Sequence, residues 1–142
     1  MHVAGNLYEG CPEDEEKDIF KAPEFLSKLV ESGVLGSKTK KGFYLKDGKE
    51  IKHLDYAKGE YVTKEKLKFG SIAMARNEES LAGNIKTMVL GKDRASEFLW
   101  KNLSDTFLYC AKRMGEISDS LVDIDNAMKW GFGWKTGPFE TW

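Results

Sequence analysis

GFGWKTGPFETW, residues 131–142, is the stretch whose reading decides the fold, because its glycines admit two opposed interpretations. Gly131, Gly133 and Gly137 resemble a loosened G-x-G-x-x-G loop, whose glycines let backbone amides approach a pyrophosphate at a helix N-terminus. A loop of that kind leaves a buried strand and enters a helix within a βαβ unit. The residues before it, 119–130, instead show helical apolar spacing at Leu121, Ile124, Ala127 and Met128. The glycines therefore follow a helix, and they are expected to turn the backbone between two helices. Pro138, with its fixed φ, suits the first turn of the second one.

Upstream, residues 93–114 form the longest predicted helix, with Phe98, Trp100, Leu103, Phe107, Leu108 and Ala111 on a wide apolar face expected to be core. Asn77 is expected to cap a helix carrying Leu81, Ile85, Met88 and Val89 to a stop at Gly91, and Thr63 to cap another that runs to about Ala75. Before these the period changes. Residues 43–46 and 50–54 flank Asp47-Gly48, a dipeptide suited to the positive φ values of a tight turn, so one hairpin is the only β-structure predicted. Pro23 is placed to open a short helix with Phe25, Leu26, Leu29 and Val30 on one side, closed by Gly33. The first ten residues read as the tail of a helix, and residues 12–16 as an acidic, solvated linker.

Composition narrows the function classes. At 142 residues there is room for one core, burying roughly 70% of the surface that the unfolded chain exposes. Twenty-two basic against 23 acidic residues leave a formal charge of −1, which supplies no field to hold a nucleic acid or an anionic membrane. The apolar runs fall short of the roughly 20 residues that a membrane span needs, and the first thirty residues are too acidic for a signal peptide. A cytoplasmic location is expected. Cys11 and Cys110 lack metal-type spacing and read as reduced structural thiols.

Candidate chemistry is sparse. His2 and His53 are the only histidines, the residue type suited to acid–base work at neutral pH, and neither has a nucleophile or carboxylate at motif spacing. Asp123 and Asp125 look like paired carboxylates, but residues two apart point to different sides of a helix, and first-turn acids serve the helix dipole. Lys38, Lys40 and Lys41 beside Gly36 and Gly42 have the charge to meet a phosphate, but solvated loop lysines are the favoured reading. No catalytic, cofactor-binding or metal-ligating residue is assigned within the chain.

Two landmarks carry a family resemblance. DIDNAMKWGFGWKTGPFETW at 123–142 resembles the signature of the C-terminal domain of the 3-hydroxyacyl-CoA dehydrogenase family, in which an Asp-Ile-Asp helix leads through a Gly-rich turn to Gly-Pro-Phe-Glu. Here those residues are Asp123, Asp125, Gly131, Gly133, Gly137, Pro138 and Phe139. PEFLSKLVESGVLGSKTKKGFY at 23–44 is similar to the family's other landmark, through Gly33, Gly36, Lys38, Gly42, Phe43 and Tyr44. In tandem-copy members, of the long-chain or bifunctional type, the second of these closes the first copy of the C-terminal domain and the first belongs to the next copy.

The resemblance implies a mainly α fold like the helical C-terminal domain of 6-phosphogluconate dehydrogenase, with one small β-hairpin. It places residues 1–62 at the end of a first copy and residues 63–142 in linker helices and the start of a second. It also implies an NAD-dependent parent that oxidises 3-hydroxyacyl-CoA in fatty-acid β-oxidation. The NAD-binding domain and the catalytic residues would lie outside this chain, and the role of the family's catalytic Asn is not carried to Asn102. The segment would supply packing, acyl-chain surroundings and dimer contacts, Val3, Leu7, Trp134, Phe139 and Trp142 being the apolar residues expected to seek a homodimer partner. The other class compatible with the sequence is a helical interaction module without enzymatic activity.

Overall fold

A computed structural model describes residues 2–142, which form two compact units, one ending at Lys66 and the other spanning Leu67–Trp142. The single core expected from chain length is not formed: contacts divide between the two units, and among the described residues Ala75 is the one buried hydrophobic side chain. Helices predominate, with one small antiparallel sheet.

The first unit begins with helix α1 (His2–Gly10), a 3-10 turn at Lys17–Phe20 and helix α2 (Glu24–Glu31), with Pro23 as the N-cap of α2. Strands β1 (Tyr44–Asp47) and β2 (Glu50–Asp55) make the predicted hairpin, pairing Tyr44 with His53 and Asp47 with Glu50. Gly48 has φ 59°, the left-handed conformation that its turn requires. A third strand, β3 (Glu60–Thr63), lies beyond the hairpin and pairs His53 with Val62. Thr63 therefore ends a strand, and does not cap a helix as the sequence suggests. The reason is that β2 would otherwise present a second row of unpaired amides and carbonyls, which the short Tyr61-Val62 run satisfies. Leu54 and Tyr61 sit opposite each other across the sheet and share a hollow of about 460 Å³ with Phe25 and Leu29 of α2.

In the second unit, helices α3 (Gly70–Ala75), α4 (Leu81–Val89), α5 (Arg94–Lys112), α6 (Leu121–Phe132) and α7 (Pro138–Thr141) follow one another. Ser80 rather than Asn77 caps α4, its hydroxyl accepting from the amide of Gly83 at 3.0 Å. The turn after Asn77 delays the helix, so the serine next to its first residue takes the capping role. Helix α6 runs through Gly131 and stops at Gly133, which has φ 68°. Of the three C-terminal glycines, Gly133 alone uses a left-handed backbone.

The most buried side chains of this unit are small or polar: Ala75, Ser71, Ser96, Asp125 and Pro138. Large apolar residues of α5 that the periodicity assigns to the core are open to solvent, Phe98 at 72% and Trp100 at 59% exposure. The wide stripe on α5 is thus only partly covered, and of its exposed residues Trp100 and Leu108 border a groove.

Candidate functional site

Two carboxylates organise the helices around that groove. Asp93 is the N-cap of α5, accepting from the amide of Ser96 at 3.1 Å and its hydroxyl at 3.2 Å. The same carboxylate accepts from the amide of Ser71 at 2.9 Å and its hydroxyl at 2.8 Å, in the first turn of α3. One side chain therefore satisfies orphan donors at two helix starts. These bonds, the one from the Ser71 amide foremost, hold the carboxyl at a pKa of about 2. Gly91 gives the cluster its room, since a Cβ there would come within 2.7 Å of the Ser71 Cβ and collide with the Ser96 hydroxyl.

Asp125 plays the corresponding part for α7. It lies on α6, almost fully buried, and accepts from the amides of Phe139 at 2.8 Å and Glu140 at 3.0 Å. Glu140 reaches back to the amide of Gly137 at 2.9 Å and pairs with Lys129 of α6. The Lys129 ammonium, and after it the Gly137 amide, lower the pKa of the Glu140 carboxyl. Asp123, two residues before Asp125, is exposed in the first turn of α6. The two acids point to different surroundings, as helical geometry requires, and form no catalytic dyad. Asp125 serves the next helix rather than the dipole of its own.

Held in this way, α7 brings Trp142 against α5, its ring stacked on Phe107 with centroids 5.9 Å apart and on Phe139 at 6.2 Å. Helices α4, α5 and α7 then enclose a groove of about 670 Å³. Ile85 and Val89 of α4, Leu103, Phe107 and Leu108 of α5, and Trp142 after α7 line it. That volume falls within the roughly 300–1,000 Å³ of small-molecule sites. Lys86 and Glu140 are the charged side chains on its lining, and Glu140 is already paired with Lys129. The groove can bind an apolar body. It offers no acid–base pair.

The other landmark lies in the first unit and forms a tight backbone knot. Gly36 has φ 78° and exchanges hydrogen bonds with Lys41, at 2.9 Å through its own amide and 3.1 Å through its carbonyl. Gly42 packs on it so closely that a Cβ would lie 2.7 Å from the Gly36 Cα. Tyr61 of β3 donates to the Gly42 carbonyl at 2.6 Å, tying the knot to the sheet. Gly33 has φ 74° after α2, while Phe43 and Tyr44 lead into the hairpin with more than half of each side chain exposed. Lys38, Lys40 and Lys41 are exposed around the knot, with no anion partner among the described residues. His53 lies on β2 and His2 on α1, in different elements. Among the described residues no group of histidines, cysteines and acids could hold a metal ion, and no helix is long and apolar enough to cross a membrane.

Sequence reading missed Asp93 and Ser71 as partners, because 22 residues separate them. The only signal was local: Asp93 followed three positions later by Ser96 has the form of a helix start. The groove was equally hidden, since an apolar stripe has the same period whether covered or open.

Comparison with known proteins bears on the whole chain. It is 42% identical over 141 residues to a protein of Bacillus subtilis (strain 168) named "Probable 3-hydroxyacyl-CoA dehydrogenase", covering 99% of this chain and 18% of that protein. It is 29% identical over 148 residues to a "Putative fatty acid oxidation complex trifunctional enzyme" of Rickettsia felis, and 24% identical over 145 residues to one of the same name in Rickettsia prowazekii. The chain spans 18% of the length of each of these relatives. No family profile matches the chain, and no solved structure does. The resemblance to 3-hydroxyacyl-CoA dehydrogenases read from the two landmarks thus extends over nearly the full sequence.

Proposed function

We propose that this chain is the C-terminal helical portion of an NAD-dependent 3-hydroxyacyl-CoA dehydrogenase of fatty-acid β-oxidation. The observation that carries this reading is the 42% identity to the Bacillus subtilis protein along 99% of the chain. The alternative, an interaction module with no enzymatic parent, is not favoured by relatives that are all named as enzymes of this chemistry. Residues 1–62 would end one copy of the C-terminal domain and residues 63–142 begin the next. The parent oxidises the 3-hydroxyl of an acyl-CoA and passes a hydride to NAD. Binding of the nicotinamide and the catalytic base fall to a domain outside this segment, which contributes packing and acyl-chain surroundings. The unbridged Cys11 and Cys110 are in keeping with a reducing cytoplasm.

A segment exchange tests this reading. The chain replaces the matching 141 residues of the Bacillus subtilis relative, and NADH formation from a 3-hydroxyacyl-CoA is followed. Retained activity supports the assignment, and a folded chimera without activity overturns it. The chain by itself is expected to give no saturable NAD binding in calorimetry. Exposed apolar residues such as Val3, Leu7 and Trp142 favour a homodimer, which sedimentation at tens of micromolar protein, a range suited to weak association, would detect.

A further inference from the structure

We infer that strand β3 is a contact surface for a second copy of this chain, two β3 strands pairing antiparallel about a two-fold axis at Val62. The contact belongs to the first unit, is separate from the apolar termini, and goes beyond the dehydrogenase reading. Its basis is the direction of the backbone groups. The Leu54 amide donates to the Phe43 carbonyl at 2.9 Å, so the backbone of Leu54 turns toward β1. Because an antiparallel ladder alternates, the neighbours His53 and Asp55 turn toward β3, where their partners are Val62 and Glu60. The amides and carbonyls of Tyr61 and Thr63 therefore point away from the sheet, and among the described residues none of them has a hydrogen-bond partner. The opposite edge is partly covered: Lys41 bridges to Leu45, and the Tyr44 carbonyl accepts from the Gly42 amide at 3.1 Å.

Register selects the occupant. On this edge a hydrogen-bonded pair forms only between outward-facing residues, so an antiparallel mate must oppose Tyr61 or Thr63 with an outward residue of its own. Setting Tyr61 of each copy against Thr63 of the other makes such a pair on both sides of the axis, each exchanging both N–H···O bonds. Registers centred on Tyr61 or on Thr63 would make a single pair within β3, which spans Glu60–Thr63. The favoured register also sets Glu60 against Lys64 twice, opposite charges directly across the pair, and Val62 against Val62 at the centre. The register centred on Tyr61 would instead oppose Lys58 to Lys64. Charges beside an edge strand discourage indiscriminate pairing, and here they match an antiparallel copy of the same strand.

Sedimentation of the 142-residue chain from about 10 to about 500 μM, with amide hydrogen exchange followed by NMR, tests the contact. A monomer–dimer equilibrium is expected. The Tyr61 and Thr63 amides should exchange freely in dilute solution and gain about tenfold protection as the dimer fills, while Val62 stays protected throughout. Thr63→Pro removes an outward N–H and leaves the bonds to β2 in place, so it should abolish the dimer and keep the melting temperature of the dilute chain. Glu60→Lys opposes like charges on both sides of the axis and should raise the dimer Kd by about tenfold, and adding Lys64→Glu should restore it. If Thr63→Pro lowers the melting temperature, loss in the single charge variant and recovery in the double one decide the matter. A chain that stays monomeric, or protection of Tyr61 and Thr63 that does not depend on concentration, would overturn the inference. So would a dimer whose Tyr61 and Thr63 amides stay open, which would assign association to the apolar termini. Charge variants without effect would overturn the register at Val62. Association is read here without catalysis, so an inactive segment chimera would refute the dehydrogenase reading and leave the β3 pairing standing.

Discussion

Gly137 packs against Asp125 so closely that any side chain at position 137 would enter the space of the aspartate's carboxyl group. The contact joins the Asp-Ile-Asp part of the landmark to its Gly-Pro-Phe-Glu part. The carboxylate can reach the amides of Phe139 and Glu140 only because nothing projects from the α-carbon in front of it.

Gly137→Ala is therefore expected to destabilise the fold by about 1–3 kcal/mol, the range for forcing a methyl group into a packed site. The cause differs from the one that the sequence suggests. Gly137 has φ −75°, an ordinary value, so the cost is steric and not backbone strain. Thermal unfolding decides the matter. A melting temperature equal to wild type would show that α7 moves aside at no cost.

Asp125→Ala removes a buried acceptor from two amides, and a loss of about 2 kcal/mol is expected. Asp123→Ala, two residues away on the exposed side, should change stability by no more than about 0.5 kcal/mol. Urea titration of both variants provides the comparison. Equal effects would contradict separate roles for the two acids.

Stability should also fall in acid through Asp93. Its carboxyl titrates at about 2 in the folded chain against an ordinary value of 3.8, because four donors from Ser71 and Ser96 favour the charged form. A lowered folded pKa means that its contribution is complete above about 3.8 and is lost as pH falls toward 2. Asp93→Asn should flatten the pH dependence of the melting temperature in that window. An unchanged slope would mean that the cap is not maintained in solution.

In the first unit, Gly42→Ala should cost about 1–3 kcal/mol by pressing its methyl group on Gly36, and Tyr61→Phe about 1 kcal/mol through the lost bond to the Gly42 carbonyl. Because the two changes affect one contact region, their double mutant should lose less than the sum. Strict additivity in chemical denaturation would show that Tyr61 and Gly42 act separately.

Local chemistry made much of the architecture legible. The helical spacing of Leu121, Ile124 and Met128 located α6, Asp47-Gly48 located the hairpin, and Pro138 opens α7 where a fixed φ belongs. Each of these depends on a few neighbouring residues, so the sequence alone determines them. Tertiary structure decided what the same residues do across distance. It added β3, because pairing is chosen by the free edge of β2. It moved the reason for Gly137 from backbone freedom to contact with Asp125, twelve positions earlier. It joined Asp93 to Ser71 across 22 residues. It also left the apolar stripe of α5 half uncovered, turning an expected core into the wall of a groove. Periodicity records which side chains avoid water, but which surface covers them depends on packing between elements that no local pattern encodes.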